Sequence, residues 1–313
     1  MNFEPTSDQR QLQDAAIRLS EGRLAPLLAR HPASQPLPKP VMLEVFSILA
    51  EFGLNGARVP VELGGSGLSM LEYGLVFEQL PAVVGLALIA HDGTISRLCA
   101  SGAHETFPGL IESLLKGEKI ACTASTEPTT GSDPRSIKLR IRNSEDGATA
   151  FLSGTKQWIT NGTIADVALV TGKTEAEGEL QRYVVERAAS PFVATEIPCI
   201  GLQQGHLSEL NFDQVPVPRR NALASDNSTM KTLTQAWLVN RPMLGLLSLR
   251  LAERARDIAL AHVKDRVQFG EPLARKQLVQ DALAEIDGSI LAARLLCLSA
   301  LDAADRGSAT QAL

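Results

Sequence analysis

Residues 154–162 read Gly154-Thr155-Lys156-Gln157-Trp158-Ile159-Thr160-Asn161-Gly162. Asn161-Gly162 is a hairpin signal, because Asn and Gly both tolerate the positive φ that tight turns between strands require. The residues leading to it therefore read as a strand. Trp158 is one of two tryptophans in the chain. Its surroundings allow two readings: a core aromatic beside a turn, or an indole laid against a flat cofactor with the Thr160 hydroxyl donating to it.

Outward from this stretch, residues 118 to about 222 keep a period of two. Ile137, Leu139 and Ile141 alternate with Lys138, Arg140 and Arg142, as on a half-buried strand. Phe151, 167–170, 183–185 and 207–212 give further strands, and Val215-Pro216-Val217-Pro218 gives an extended exit. The period changes to that of helices on both sides. Thr6 and Gln9 form a capping box before Leu12, Ala15, Ala16 and Leu19. Met42, Val45, Phe46 and Leu49 follow helical spacing up to Gly53, and Gly64, Gly65 and Gly67 read as a flexible loop before a helix from Ser69. After residue 229, one long helix is expected from Met230 to about Arg266, with Pro242 either kinking it or marking a start, and a second starts near Lys276. The second is apolar around most of its circumference, so Leu291, Leu295 and Leu298 are expected to face water in an isolated chain and to demand association through residues 276–313.

The expected fold class is α+β, with an N-terminal helical domain (1–117), a middle β-barrel or sheet domain (118–222) and a C-terminal helical domain forming an incomplete bundle (223–313). The chain has 313 residues, 44% of them hydrophobic and 21% charged, with a net charge of −5 and no block of like charge. That composition suits a globular protein and gives no nucleic-acid-binding arm. Cys99, Cys122, Cys199 and Cys297 lack the spacing of a zinc or redox site and read as buried thiols. The five histidines are dispersed, so no metal site is expected. No stretch reads as a signal peptide or a membrane span, and a cytoplasmic protein is expected.

Two more stretches carry candidate chemistry. Ala121-Cys122-Thr123-Ala124-Ser125-Thr126-Glu127-Pro128-Thr129-Thr130-Gly131-Ser132-Asp133 is a strand entering a Pro/Gly turn. Such a turn is either a plain connector or a nest of N–H groups and hydroxyls for the edge of an electron-rich ring. Asp265-Arg266-Val267-Gln268-Phe269-Gly270-Glu271-Pro272-Leu273, followed by Gln277, is either a charged helix terminus or an anion contact.

In this order and within this layout, the three stretches resemble the acyl-CoA dehydrogenase family. The resemblance runs from near residue 5 to near residue 305 and extends to a glycine-rich loop at Leu63-Gly64-Gly65-Ser66-Gly67. It implies FAD as cofactor and α,β-desaturation of an acyl-CoA thioester. A carboxylate takes the α-proton while the β-hydrogen leaves as hydride to flavin N5, and the electrons pass on singly to an electron-transfer acceptor. Thr123, Ser125 and Thr126 would lie at the flavin pyrimidine edge, with Ser132 nearer the pantetheine or nucleotide end of the ligands. Trp158 and Ile159 would lie against the ring system, and Thr160 would hydrogen-bond N5. Arg266, Gln268 and Phe269, with help from Gln277, would reach the FAD pyrophosphate or adenosine of a neighbouring subunit in a homo- or hetero-oligomer, tetrameric in type.

The catalytic residue is the departure. The family's usual base is a late glutamate in a Tyr-Glu-Gly-Thr-like segment, which residues 1–313 do not contain. A subset of the family places it before an arginine on the first C-terminal helix, where this chain has Asn240-Arg241. Glu62, Glu72, Asp92, Glu127 and Glu209 are expected to be solvated or capping acids. The leading expectation is therefore a base-lacking subunit of a heteromeric acyl-CoA dehydrogenase, paired with a full-length relative as in bacterial steroid side-chain degradation. The alternatives are a homo-oligomeric dehydrogenase with an unconventional base, a non-catalytic ligand-binding or structural homologue, a fragment of a longer gene, and a flavin oxygenase of the same fold.

Overall fold

The computed structural model describes residues 4–176, 178–223 and 228–308. Nine α-helices are described: α1 (Ser7–Leu19), α2 (Ala25–Ala29), α3 (Lys39–Glu51), α4 (Met70–Phe77), α5 (Ala82–Ala100), α6 (Ala103–Thr106), α7 (Pro108–Leu115), α8 (Ser228–Asp265) and α9 (Gln277–Asp305). The strands are β1 (Ala121–Ala124), β2 (Arg140–Asn143), β3 (Thr149–Thr160), β4 (Val167–Thr174), β5 (Leu180–Glu186), β6 (Val193–Glu196) and β7 (Leu207–Pro218), with a small hairpin of β8 (Val267–Gln268) and β9 (Glu271–Pro272). The chain divides into two compact units, one of residues 1–20, 69–85 and 237–313 and the other of 21–68 and 86–236.

In the first unit, local sequence starts the helices and tertiary contacts bind them. Thr6 and Gln9 close the capping box of α1, and Ser69 and Glu72 close that of α4. The carboxylate of Asp305, at the end of α9, accepts the backbone N–H groups of Met70 and Leu71 at 2.6 and 2.9 Å and so caps α4 a second time. Glu78 receives Arg294 through two hydrogen bonds of 2.9 and 2.6 Å and Gln13 through a third of 3.0 Å. Pro242 stays inside the long helix α8. Leu291 is 58% exposed, as expected. Leu295 and Leu298 instead line a cavity of about 250 Å³ with Pro5, Leu71 and Leu75, because α1 and α4 shelter that side of α9.

The second unit is built on a seven-stranded sheet. One edge of β4 is shared by β1 and then β2, both parallel to it, while β5 runs antiparallel along the other edge. From β2 the sheet continues antiparallel through β3 and β7 to β6. One side buries Leu139, Ile141, Leu152, Ile159, Leu210 and Phe212 against one another. The β1–β4–β5 region packs Ala121, Val167, Leu169 and Val184 with Ile95, Leu98 and Leu114 of the helices. Each such fully buried aliphatic side chain contributes about 2 kcal/mol. By length and composition α5 is able to cross a membrane, but 72% of that stretch is buried within the protein, as in a core helix.

Several expectations change here. The glycine loop is not a free connector: Gly65, Ser66, Gly67 and Leu68 donate their N–H groups to the carbonyls of Pro60, Gly56, Val59 and Ala57. Gly65 is pressed so tightly that an added Cβ would lie 2.1 Å from the Val59 carbonyl oxygen. Asn161-Gly162 is no hairpin turn, since β3 pairs with β2 and β7 and β4 does not pair with β3. Asn161 does take positive φ (67°), and its buried amide donates to Ala87 O. Gly162 lies against β7, where a Cβ would meet Ser208 Cβ and Leu210 Cδ2 at 2.9 Å. Cys99 and Cys122 are buried thiols, whereas Cys199 and Cys297 are only partly covered.

Candidate functional site

β3 pairs with β7 in register from Gly154–Phe212 to Lys156–Leu210, after an earlier shift between Leu152 and Gly154, and resumes at Ile159–Ser208. Two residues of β3 thus face one of β7, which is a β-bulge. The bulge turns Trp158 outward at φ 61° with 54% of its surface exposed, so it is not a core aromatic. A bulky residue in this left-handed region is strained, and such strain concentrates at functional sites. Ile159 points into the sheet core and Thr160 is half-buried on the opposite side. Any ligand contact by Ile159 is therefore made by its backbone.

The turn after β1 lies beside this bulge. Gln157 N–H, freed from the ladder, donates to Thr126 O at 2.9 Å. The turn is closed by Glu127 and Thr130, whose N–H and C=O groups exchange hydrogen bonds of 2.9 and 3.2 Å. The hydroxyls of Thr126, Ser132 and Thr160 have no hydrogen-bond partner among the described residues, so each is available to a ligand. The Ser125 hydroxyl is within 3.1 Å of the Thr171 hydroxyl. The Thr123 hydroxyl is committed to Thr94 at 2.8 Å and to Arg97 at 2.9 Å.

Underneath lies a pair that sequence reasoning missed. Lys156 is fully buried and donates to Glu127 Oε1 and to Ser125 O, both at 2.9 Å. Glu127, expected to be a solvated or capping acid, is buried too. Its carboxylate also accepts the N–H groups of Lys138 and Leu139 at 2.7 and 2.8 Å. This explains why β2 begins only at Arg140 although the alternation of buried and exposed residues starts at Ile137. Burial pushes the Lys156 ammonium down to about 8, against the opposing pull of Glu127. The one signal in the sequence was that both residues sit inside the candidate stretches.

The other acids sort differently. Asp92, also expected to be a solvated or capping acid, is buried beside Arg58 Nε at 2.6 Å. Glu72 is the cap of α4, Glu62 is exposed, and Glu209 is half-buried and accepts from Asn211. In the first unit, Asn240 is half-buried on α8 and its Oδ1 has no hydrogen-bond partner among the described residues. Arg241 follows it, with its guanidinium 5.6 Å from the centre of the Trp237 ring. Arg266, Gln268 and Phe269 are exposed on and beside the β8–β9 hairpin, with Phe269 at φ 54° and 96% exposed. Gln277 is exposed at the first turn of α9.

Three family models cover this layout: the acyl-CoA dehydrogenase N-terminal domain over residues 6–118, the middle domain over 122–215 and the C-terminal domain over 229–313. The cyclohex-1-ene-1-carbonyl-CoA dehydrogenase of Geobacter metallireducens is 30% identical over 95% of this chain and 76% of its own length. The chain belongs to the acyl-CoA dehydrogenase family. Among solved members of the family, butyryl-CoA dehydrogenase from Megasphaera elsdenii matches with a TM-score of 0.87 and 28% identity, over 98% of this chain and 82% of that one. A glutaryl-CoA dehydrogenase from Mycobacterium smegmatis, solved in complex with FADH2, matches with a TM-score of 0.86 and 25% identity, over 98% of this chain and 78% of that one. FAD is the cofactor of the acyl-CoA dehydrogenase family. The second unit fits its ring system: an outward indole on a strained bulge stands beside hydroxyls that the protein leaves unpaired.

Proposed function

We propose that this chain serves α,β-dehydrogenation of an acyl-CoA thioester as the base-lacking, flavin-binding subunit of a heteromeric acyl-CoA dehydrogenase. FAD, when bound, supplies the two-electron acceptor. Trp158 covers one face of its ring system and keeps water from it. The Thr160 hydroxyl holds N5, and the Thr126 hydroxyl and amide hold the pyrimidine edge, with Ser125 contributing through its backbone. Ser132 sits toward the pantetheine or nucleotide end. Arg266, Gln268, Phe269 and Gln277 serve the pyrophosphate or adenosine portion in a neighbouring subunit.

The observation that carries the reading is the outward Trp158 on its bulge, next to unpaired hydroxyls. The base-lacking part rests on chemistry. Removal of the α-proton needs a carboxylate within hydrogen-bond reach. Asn240 offers an amide instead, and Glu127 is enclosed and occupied by Lys156 and two backbone N–H groups. A family partner that carries the catalytic carboxylate would supply it.

The test is co-expression of this chain with a full-length family partner, with each chain also prepared alone. The expected result is a complex with stoichiometric flavin absorbance that turns over acyl-CoA, while this chain alone does not. Turnover by this chain alone would remove the base-lacking part. A folded chain that takes up no FAD, alone or in any pairing, would remove the whole reading.

A further inference from the structure

The buried Lys156–Glu127 pair has no task in the reading above. Removing two charges from water costs about as much as their attraction returns, so a buried ion pair is a poor source of stability compared with apolar side chains of the same volume. Its contacts point to another use. Lys156 Nζ donates to Ser125 O, and the next residue along β3, Gln157, donates its N–H to Thr126 O, both at 2.9 Å. The peptide between Ser125 and Thr126 is therefore gripped at its carbonyl by a cation, while the Thr126 amide has no acceptor among the described residues. Glu127 accepts the N–H groups of Lys138 and Leu139 as well as the ammonium, so part of its charge is spent on donors away from Ser125.

We propose that Lys156 is a positioning residue for the flavin: held by Glu127, its ammonium polarises the Ser125–Thr126 peptide and makes the Thr126 amide a stronger donor to the negative charge that the pyrimidine edge of FAD gains on reduction. The proposal rests on the flavin site described above. Lys156 touches neither substrate nor cofactor and acts through the peptide. Linked hydrogen bonds strengthen one another by roughly 10–30%, and a charge in a water-poor interior is poorly screened. The oxidised ring carries no such charge, so the pair favours the reduced cofactor over the oxidised one. Its signature is a change in midpoint potential, which packing alone would not produce.

The test compares FAD-loaded wild type with K156M, K156R and the double variant K156M/E127L, in which neither charge remains. Midpoint potentials are measured by dye-linked reduction, and oxidised FAD is titrated in parallel. The expected result is a potential shifted negative in K156M and in the double variant, with affinity for reduced FAD falling about tenfold further than that for oxidised FAD. K156R should restore part of the shift. If K156M does not fold, the double variant carries the test, since it leaves no unpaired buried charge. A wild-type potential in a folded, FAD-bound double variant overturns the proposal while leaving the flavin site standing. A wild type that takes up no FAD, alone or in any pairing, overturns both.

Discussion

Gln157 gives its backbone N–H to the carbonyl of Thr126 instead of to its neighbouring strand, and this 2.9 Å bond fastens the bulge that presents Trp158 to the turn that presents Thr126. The backbones that carry the ring and the hydroxyl are thereby joined through main-chain atoms. The first prediction concerns the cost of that arrangement. Glycine at position 158 adopts φ 61° without strain, so Trp158→Gly should leave the melting temperature unchanged or raise it, with relief of about 1 kcal/mol. FAD affinity should nevertheless fall at least about tenfold, as the ring contact is lost. Thermal unfolding and FAD titration on one preparation check both. A variant that melts earlier and binds FAD normally would assign Trp158 to structure.

The buried pair gives a second prediction. Glu127→Ala strands the Lys156 ammonium and two N–H groups, and should cost about 3–5 kcal/mol in urea unfolding. K156M/E127L should cost clearly less than the sum of the two single substitutions, because the second change removes the charge left stranded by the first. Additive losses would mean that the two residues do not act as a pair.

The outline of this fold was legible in the sequence wherever the cause is local. The capping boxes at Thr6 and Ser69 lie within a few residues of the helices that they start, and the alternation from Ile137 to Ile141 is a property of one strand. Errors arose where the deciding partner is remote. Glu127 looked like any loop acid until Lys156 and the N–H groups of Lys138 and Leu139 surrounded it. Gly65 looked mobile because composition does not reveal that Val59 presses against it. Leu295 and Leu298 looked unsheltered because the cover from α1 and α4 is a tertiary event. At the site, Trp158 and Thr160 were named from the motif, but the bulge that separates them from a regular strand carries no sequence signature of its own.

The third prediction concerns acid. His91 is fully buried, accepts from Ala121 N–H through Nδ1 and donates to Leu114 O through Nε2, both at 3.0 Å. Burial pushes it down to about 4, from 6.5 in an exposed histidine. The unfolded chain therefore binds more protons between these values, and stability rises with pH across that interval. The contribution is complete above 6.5 and is lost as pH falls toward 4, with a total of about 3 kcal/mol. Urea midpoints recorded from pH 7 to pH 4 should show the decline, and His91→Gln should flatten it from a lower starting stability.

The fourth compares two glycines. Gly65→Ala should destabilise by about 1–3 kcal/mol, since its methyl would meet the Val59 backbone and neither group can step aside. Gly288, on the exposed side of α9, has open space around a built Cβ, and Gly288→Ala should stabilise by up to about 1 kcal/mol. Opposite shifts in melting temperature are the expected outcome. A neutral Gly65→Ala would mean that the loop yields.

The extra residue in β3 makes chain length the sensitive quantity at this point. Exchanging a side chain at 157 or 158 alters one contact. Deleting either residue would close the ladder into a regular strand with a single residue opposite Glu209, so Ile159 would stay inward opposite Ser208 while the positive-φ step that turns the indole out, and the N–H that it frees for Thr126, would be lost. The position of the indole is thus set by a count of peptide units, and a one-codon deletion there should do more harm than most substitutions in the surrounding strands.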